Sequence, residues 1–326
     1  MSELKVSILG AGNIAKTMAR TVQAVEGVTL WGVASRSLDK AEEFAAKFGA
    51  PRAFGSYEEL YEDPDTDLIY IATPHMFHFE QAREALLHGK HALCEKPMTI
   101  NAAQAEELFA LAEERGLFVS EAIWTRYLPL GSTLREKLES GVIGTPKIMT
   151  ANYGFNCAGV PRMEEPSLAG GALLDLGIYP LTVISMAFGE EISGMQTTGV
   201  LTEKGVDAHS VTTLTFEDGR MATVFTAMDA TLGSKAVIYG DAGRIELDPV
   251  CNWNRLDIYD GSGRIKERIS CPQQITGFEY EVQAAVKAIE AGALETEEAP
   301  RSLLLAMMRR MDSLRSIWGM RYPGEE

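Results

Sequence analysis

The 326-residue chain holds 30 basic against 46 acidic residues, a formal charge of -16, with 46% hydrophobic and 23% charged residues. Such acidity excludes broad contact with a nucleic-acid backbone or an anionic membrane surface, and the length suits two hydrophobic cores better than one. No charged, apolar and cleavable leader opens the sequence, no uninterrupted apolar run approaches the roughly 18 residues of a membrane span, and Cys94, Cys157, Cys251 and Cys271 form no C-x-x-C pair. The expectation is a cytoplasmic protein with packed thiols and no bound metal.

Val6–Leu9 reads as a short apolar strand that runs directly into Gly10-Ala11-Gly12-Asn13-Ile14-Ala15 and then into helical sequence through Val25. This is G-x-G-x-x-A between a strand and a helix. Gly10 serves the turn, Gly12 the approach of a pyrophosphate to the helix N-terminus, with Asn13 and Ile14 in the same loop, and Ala15 the packing on the strand. The next strand, Val28–Ala34, ends in Ser35-Arg36-Ser37, where an NAD enzyme usually places a carboxylate for the ribose 2'-hydroxyl. A guanidinium and hydroxyls in that place favour a 2'-phosphate, hence NADP(H) over NAD(H).

Helical Leu38–Phe48, a capping box at Ser56, and a buried strand from Asp67 to Ala72 follow, the strand stopping at Thr73-Pro74 with His75 and His78 just beyond. Strand His91–Cys94 ends in Glu95-Lys96-Pro97. Asn101 and Gln104 cap a helix to Arg115, and Leu117–Ser120 is a further strand. Alternating strands and helices predict a doubly wound parallel sheet with ligands beyond the carboxyl ends of its strands. That makes Thr73, Pro74, His78, Glu95 and Lys96 cofactor-side candidates, with proline restricting the backbone at Lys96. The predicted dinucleotide-binding domain is 1–121.

From 122 onward the pattern changes. Leu130–Ser140 is helical, Lys147–Phe155 is a strand, and a helix from about Leu168 to Phe188 contains Gly170-Gly171-Ala172-Leu173-Leu174-Asp175-Leu176-Gly177-Ile178-Tyr179-Pro180. Asp175 and Tyr179 stand four apart, one face of an α-helix, and an acid and a phenol on an apolar helix are costly to bury unless paired or used. Strands with short turns at Glu217-Asp218-Gly219, Asp241-Ala242-Gly243 and Asp260-Gly261-Ser262-Gly263 then predict an antiparallel sheet, closed by helices Phe278–Ala291 and Ser302–Trp318. The expected architecture is α/β: a Rossmann domain plus a C-terminal α+β domain, 122–326, with a large, mainly antiparallel open sheet. One sheet face lacks helices to cover it, which predicts a homo-oligomer, dimer or tetramer, joined sheet to sheet.

Through Gly10-Ala11-Gly12-Asn13-Ile14-Ala15, Ala72-Thr73-Pro74, Glu95-Lys96-Pro97 and Gly170-Gly171 with Asp175, the chain resembles the glucose-fructose oxidoreductase, inositol dehydrogenase and MocA family over nearly its whole length. Leu173–Tyr179 and Glu121–Arg126 are most similar to the branch holding dimeric dihydrodiol dehydrogenase and NADP-dependent D-xylose dehydrogenase. The resemblance implies an NAD(P)-dependent oxidoreductase acting on sugars, polyols or related compounds. Many family members have His where this chain has Tyr179, which makes the phenol the candidate proton carrier. Lys96 is then the cation favouring its phenolate, and Asp175 orients Lys96 or binds a substrate hydroxyl, because a second negative charge would raise the phenol's pKa. Trp124, Arg126, Phe155 and Phe278 offer aromatic and charged surface for a sugar ring, the first two favoured by the resemblance. A dihydrodiol dehydrogenase and a non-catalytic dinucleotide sensor are the alternative readings.

Overall fold

A computed structural model describes residues 3–325. The chain divides into two compact units, one made of Met1–Ile123 with Gln274–Leu305, the other of Trp124–Gln273 with Ala306–Glu326. The first unit thus takes in a segment from the sequence-read second domain.

Six strands build its sheet: β1 (Leu4–Leu9), β2 (Val28–Ala34), β3 (Arg52–Phe54), β4 (Leu68–Ile71), β5 (His91–Glu95) and β6 (Val119–Ala122). Their order is β3-β2-β1-β4-β5-β6, all neighbours parallel. Strands β4 and β6 are buried at every position, as expected of a sheet covered on both faces. Helices Asn13–Ala24 and Glu279–Glu290 share one apolar cluster with β1, β2 and β4. Chain order reverses between β1 and β4, the switch point where such sheets bind ligands. Strand β3 was not anticipated: three residues give too short a period to read.

The second unit holds β7 (Pro146–Gly154), β8 (Ile192–Leu201), β9 (Asp207–Phe216), β10 (Met221–Ala227), β11 (Gly233–Gly240), β12 (Gly243–Leu247), β13 (Arg255–Asp260) and β14 (Ile265–Ser270). They form one sheet in the order β14-β13-β12-β11-β7-β10-β9-β8, antiparallel except for the β7–β10 pair. Met149, Ala151, Leu214, Ala222, Val224, Ala236 and Ile238 are buried, and the positions between them are more open on β7, β9 and β10, whereas Val237 of β11 is buried as well. Tyr239, Ile148 and Met221 lie side by side across β11, β7 and β10, and Phe225 pairs with Val211, all exposed.

The stretch from Pro166 to Phe188 departs from a single α-helix. It comprises a 3-10 turn at Pro166–Leu168, a π-helical turn at Leu173–Gly177 and an α-helix only from Ile178 to Phe188. It is also long and apolar enough to span a membrane, although no uninterrupted apolar run in the sequence reaches that length, and 83% of that window is buried within the protein, as a core helix is.

Candidate active site

In the first unit the ends of β1, β2 and β4 are drawn together by backbone. Gly10 N donates to Ala34 O at 2.9 Å, and Ala72 N donates to Leu9 O at 2.8 Å. Gly10 has φ +109° and a Cβ there would lie 2.6 Å from Ala72 O, so only glycine fits. Gly12 N-caps helix Asn13–Ala24 without a side-chain cap, and the first turn carries no acid. A Cβ at Gly12 would meet nothing within 4 Å, and Gly12 and Asn13 are exposed, with Ile14 half-buried. Unfilled backbone N–H groups and an accessible helix terminus are what a pyrophosphate needs. Ser35 is buried, its Oγ accepting from Ser37 N at 3.4 Å, whereas Arg36 is exposed.

His78 is fully buried, one ring nitrogen 2.7 Å from Pro97 O and the other 2.8 Å from Thr73 O. Burial pushes its pKa below the ordinary 6.5, against the pull of those two carbonyls. The neutral ring donates to one of them. His78 therefore links the β4 and β5 ends, holding Thr73-Pro74 beside the Lys96-Pro97 turn, whose peptide bond is cis. Thr73 Oγ1 donates to Gln81 Oε1 at 2.5 Å. Glu95 is buried and accepts from the Tyr70 hydroxyl and, at 3.2 Å, from Lys96 N, while Lys96 itself is half-buried. Glu121, at the end of β6, accepts from Met98 N at 2.8 Å.

Sequence reading missed the acid that faces this cluster. Glu281 is 0% exposed, and neither carboxylate oxygen has a hydrogen-bond partner among the described residues. Burial first, then the charges of Glu95, Glu121 and Glu279, push its pKa well above the carboxylate range. Its signal was present: on helix Glu279–Glu290 it lies on the stripe of Val282, Ala285 and Ala288, an acid on an apolar face. Phe278 precedes that helix, half-buried and packed against the core of the first unit.

In the second unit the candidates surround the π turn. Gly171 has φ +116° and a Cβ there would fall 2.1 Å from Asp207 Oδ1, so the glycine makes room for that carboxylate. Asp207 Oδ2 accepts from Leu173 N at 2.7 Å, fixing the start of the turn, and burial pushes its pKa up to about 7. The Tyr322 hydroxyl donates to Gly170 O at 2.6 Å. Every residue from Ala169 to Ser185 is buried except Tyr179. The Tyr179 ring meets Tyr153 of β7 edge-on, centroids 5.5 Å apart. Asp175 pairs with Arg162 Nη1 at 2.5 Å, a partner absent from the sequence reading. Arg162 sits on the four-residue helix Pro161–Glu164, too short to show a period.

Of the proposed substrate groups, Phe155 is 40% exposed and edge-on to Tyr153. Trp124 is half-buried. Arg126 is buried and donates from Nη2 to Ser185 Oγ at 2.9 Å, on the helix that begins beside Tyr179. Ser185 in turn donates to Glu190, which pairs with Arg310.

Residues 4–123 match the family model described as an oxidoreductase family with an NAD-binding Rossmann fold, and residues 132–246 match the GFO/IDH/MocA C-terminal domain. Among curated relatives, trans-1,2-dihydrobenzene-1,2-diol dehydrogenase from Danio rerio is 32% identical, covering 98% of both chains. The Bos taurus enzyme of the same name is 35% identical over 99% of both. Among solved structures, KijD10, a 3-ketoreductase from Actinomadura kijaniata in complex with NADP and TDP-benzene, superimposes with a TM-score of 0.86 at 26% identity, covering 97% of this chain and 98% of that one. Aldose-aldose oxidoreductase from Caulobacter crescentus shares the fold, with a TM-score of 0.87 at 22% identity over 97% of this chain and 98% of that one.

Proposed function

The chain belongs to the Gfo/Idh/MocA oxidoreductase family, and from that premise we propose that it moves a hydride between NADP(H) and a CH–OH group of a carbohydrate, polyol or related vicinal diol. When bound, the nicotinamide supplies the hydride acceptor or donor. Gly10, Gly12, Asn13 and Ile14 would hold its pyrophosphate and Ser35 with Arg36 its 2'-phosphate, with Thr73, Pro74, Glu95 and Lys96 at the strand ends beyond. His78 supports them from below.

Tyr179 takes the hydroxyl proton in oxidation and returns it in reduction, and Lys96 is the ammonium that the same reaction requires. Asp175 and Arg162 hold the surroundings of the phenol. Trp124, Phe155 and Phe278 are substrate-side groups, and Arg126 supports the Tyr179 helix through Ser185. The observation that carries this reading is the partial exposure of Tyr179 in a run otherwise buried from Ala169 to Ser185: in that run the phenol is the group a substrate can reach.

The test is NADP reduction with a panel of aldoses, polyols and trans-dihydrodiols, paired with NADPH oxidation on oxo-sugars. Turnover on none of them would defeat the reading. The curated relatives favour a second substrate class, an apolar trans-diol, and the same panel separates it from sugars. For the cofactor, Arg36→Asp is expected to weaken NADP about 10- to 100-fold, the worth of one or two charged hydrogen bonds, without weakening NAD. Equal affinities of wild type and variant for NADP would remove the preference.

The protein is further proposed to be a cytoplasmic homo-oligomer joined through its open sheet. The exposed row Tyr239, Ile148 and Met221 with Phe225 and Val211 supports this, since such a face is costly to leave in water. Phe225→Glu is expected to lower the molar mass by light scattering to that of one chain; an unchanged mass would place the interface elsewhere.

A further inference from the structure

Within the second unit, the run that carries Asp175 and Tyr179 begins at an unusual bend. Ala169 has φ +55°, the only positive value outside glycine among the described residues, and Gly171 follows at φ +116°. An alanine stays in that region only where its surroundings over-determine it. Gly171 N donates to Met163 O at 2.8 Å, and a Cβ at Gly170 would fall 2.6 Å from the same oxygen, so the bend is pressed against helix Pro161–Glu164. A second hold comes from 152 residues further along the chain, where the buried Tyr322 donates its hydroxyl to Gly170 O at 2.6 Å. Tyr322 is itself tied down. Its N–H donates to Glu325 Oε2 at 2.8 Å, and the Glu325 carboxylate accepts from Arg315 Nη1 at 2.6 Å and Nη2 at 3.0 Å. Arg315 is buried on helix Arg301–Trp318, donates also to Asp312, and has its guanidinium 4.7 Å from the centre of the Tyr322 ring. A two-pronged ion pair with a cation over the ring fixes a segment that lies outside any helix or strand.

We propose that Tyr322 is a positioning residue: held by Glu325 and Arg315, it braces Gly170 O and so sets the bend from which the π turn presents Asp175 and Tyr179 to the substrate. This rests on the reading of Tyr179 as the proton carrier and adds a residue to it. The brace carries no proton, and Lys96, the cation assigned to the same phenol, belongs to the other unit and keeps its role.

The test measures kcat, KM and NADP affinity for wild type, Tyr322→Phe, Glu325→Gln, the two combined, Tyr179→Phe and Ile258→Val. Ile258, fully buried on β13, is the control for loosened packing. Tyr322→Phe removes one hydroxyl and is expected to lower kcat about 10-fold, the rate equivalent of one buried hydrogen bond, with KM and NADP affinity within about twofold of wild type. Glu325→Gln is expected to lower kcat about threefold, and the double variant to match Tyr322→Phe, because both act through one bond. Ile258→Val keeps wild-type kcat. An unchanged kcat in Tyr322→Phe, a change confined to KM, losses that multiply in the double variant, or an equal loss in Ile258→Val overturns the brace and leaves the reading of Tyr179 standing. Should Tyr322→Phe fail to fold, Glu325→Gln decides alone, and wild-type kcat in it overturns the brace. If Tyr179→Phe retains turnover, both are overturned.

Discussion

Tyr179→Phe and Lys96→Met should each lower kcat by about 10²- to 10⁴-fold, the usual worth of a positioned proton-transfer group, while cofactor binding followed by fluorescence quenching persists in Tyr179→Phe. Phenylalanine keeps the edge-on contact with Tyr153 and removes only the hydroxyl, so lost turnover in a stably folded variant reports chemistry and not packing. Methionine keeps most of the length of Lys96 without its charge. If the two residues serve one step, the double variant should be little worse than the poorer single one, because groups acting as a unit are not additive. Near-wild-type turnover in either variant, on a substrate the wild type uses, would remove that residue from the chemistry.

Glu281→Gln should raise the melting temperature at pH 7.5 and change it little near pH 4.5. The folded state holds the Glu281 carboxyl in its protonated form well beyond the range in which the unfolded chain, with an ordinary value of 4.5, gives up the proton. Between those limits the unfolded state binds fewer protons than the native one, so stability falls as pH rises, by about 1.4 kcal/mol per unit while the difference persists. Glutamine keeps the shape and removes the titration, so the gap between variant and wild type should widen from acid to neutral pH. Parallel melting curves across that range would show that Glu281 finds relief not visible in its contacts.

The first unit was the more legible one because its signals are local. The turn glycines, the uncapped helix start at Gly12 and the strand-end Lys96 depend on residues adjacent in the chain, and a parallel sheet follows from alternating periods. The second unit's sheet was also foreseeable from its turns, although its β7–β10 parallel pair was not. What escaped reading depends on distant contacts. Arg162 reaches Asp175 from a four-residue helix too short to show a period. The π turn at Leu173–Gly177 replaces the α-helix that the spacing of Asp175 and Tyr179 implied, with Asp207, remote in sequence, holding its first N–H. Burial of His78 behind two carbonyls likewise depends on two strand ends meeting.

The return of Gln274–Leu305 to the first unit bears on how the chain is made. Val282, Ala285, Val286 and Ala288 belong to the same apolar cluster as Val6, Ile8 and Leu30, and Thr276 shares a 2.7 Å hydrogen bond with Thr21. A ribosome has therefore to deliver most of the polypeptide before the earliest strands gain their last covering. At the ordinary pace of about 5–20 residues per second, the nascent sheet stays open for many seconds while the second unit's strands emerge. An expression fragment ending near 121 would keep that open state permanently, so the dinucleotide-binding half is best produced with 274–305 grafted on.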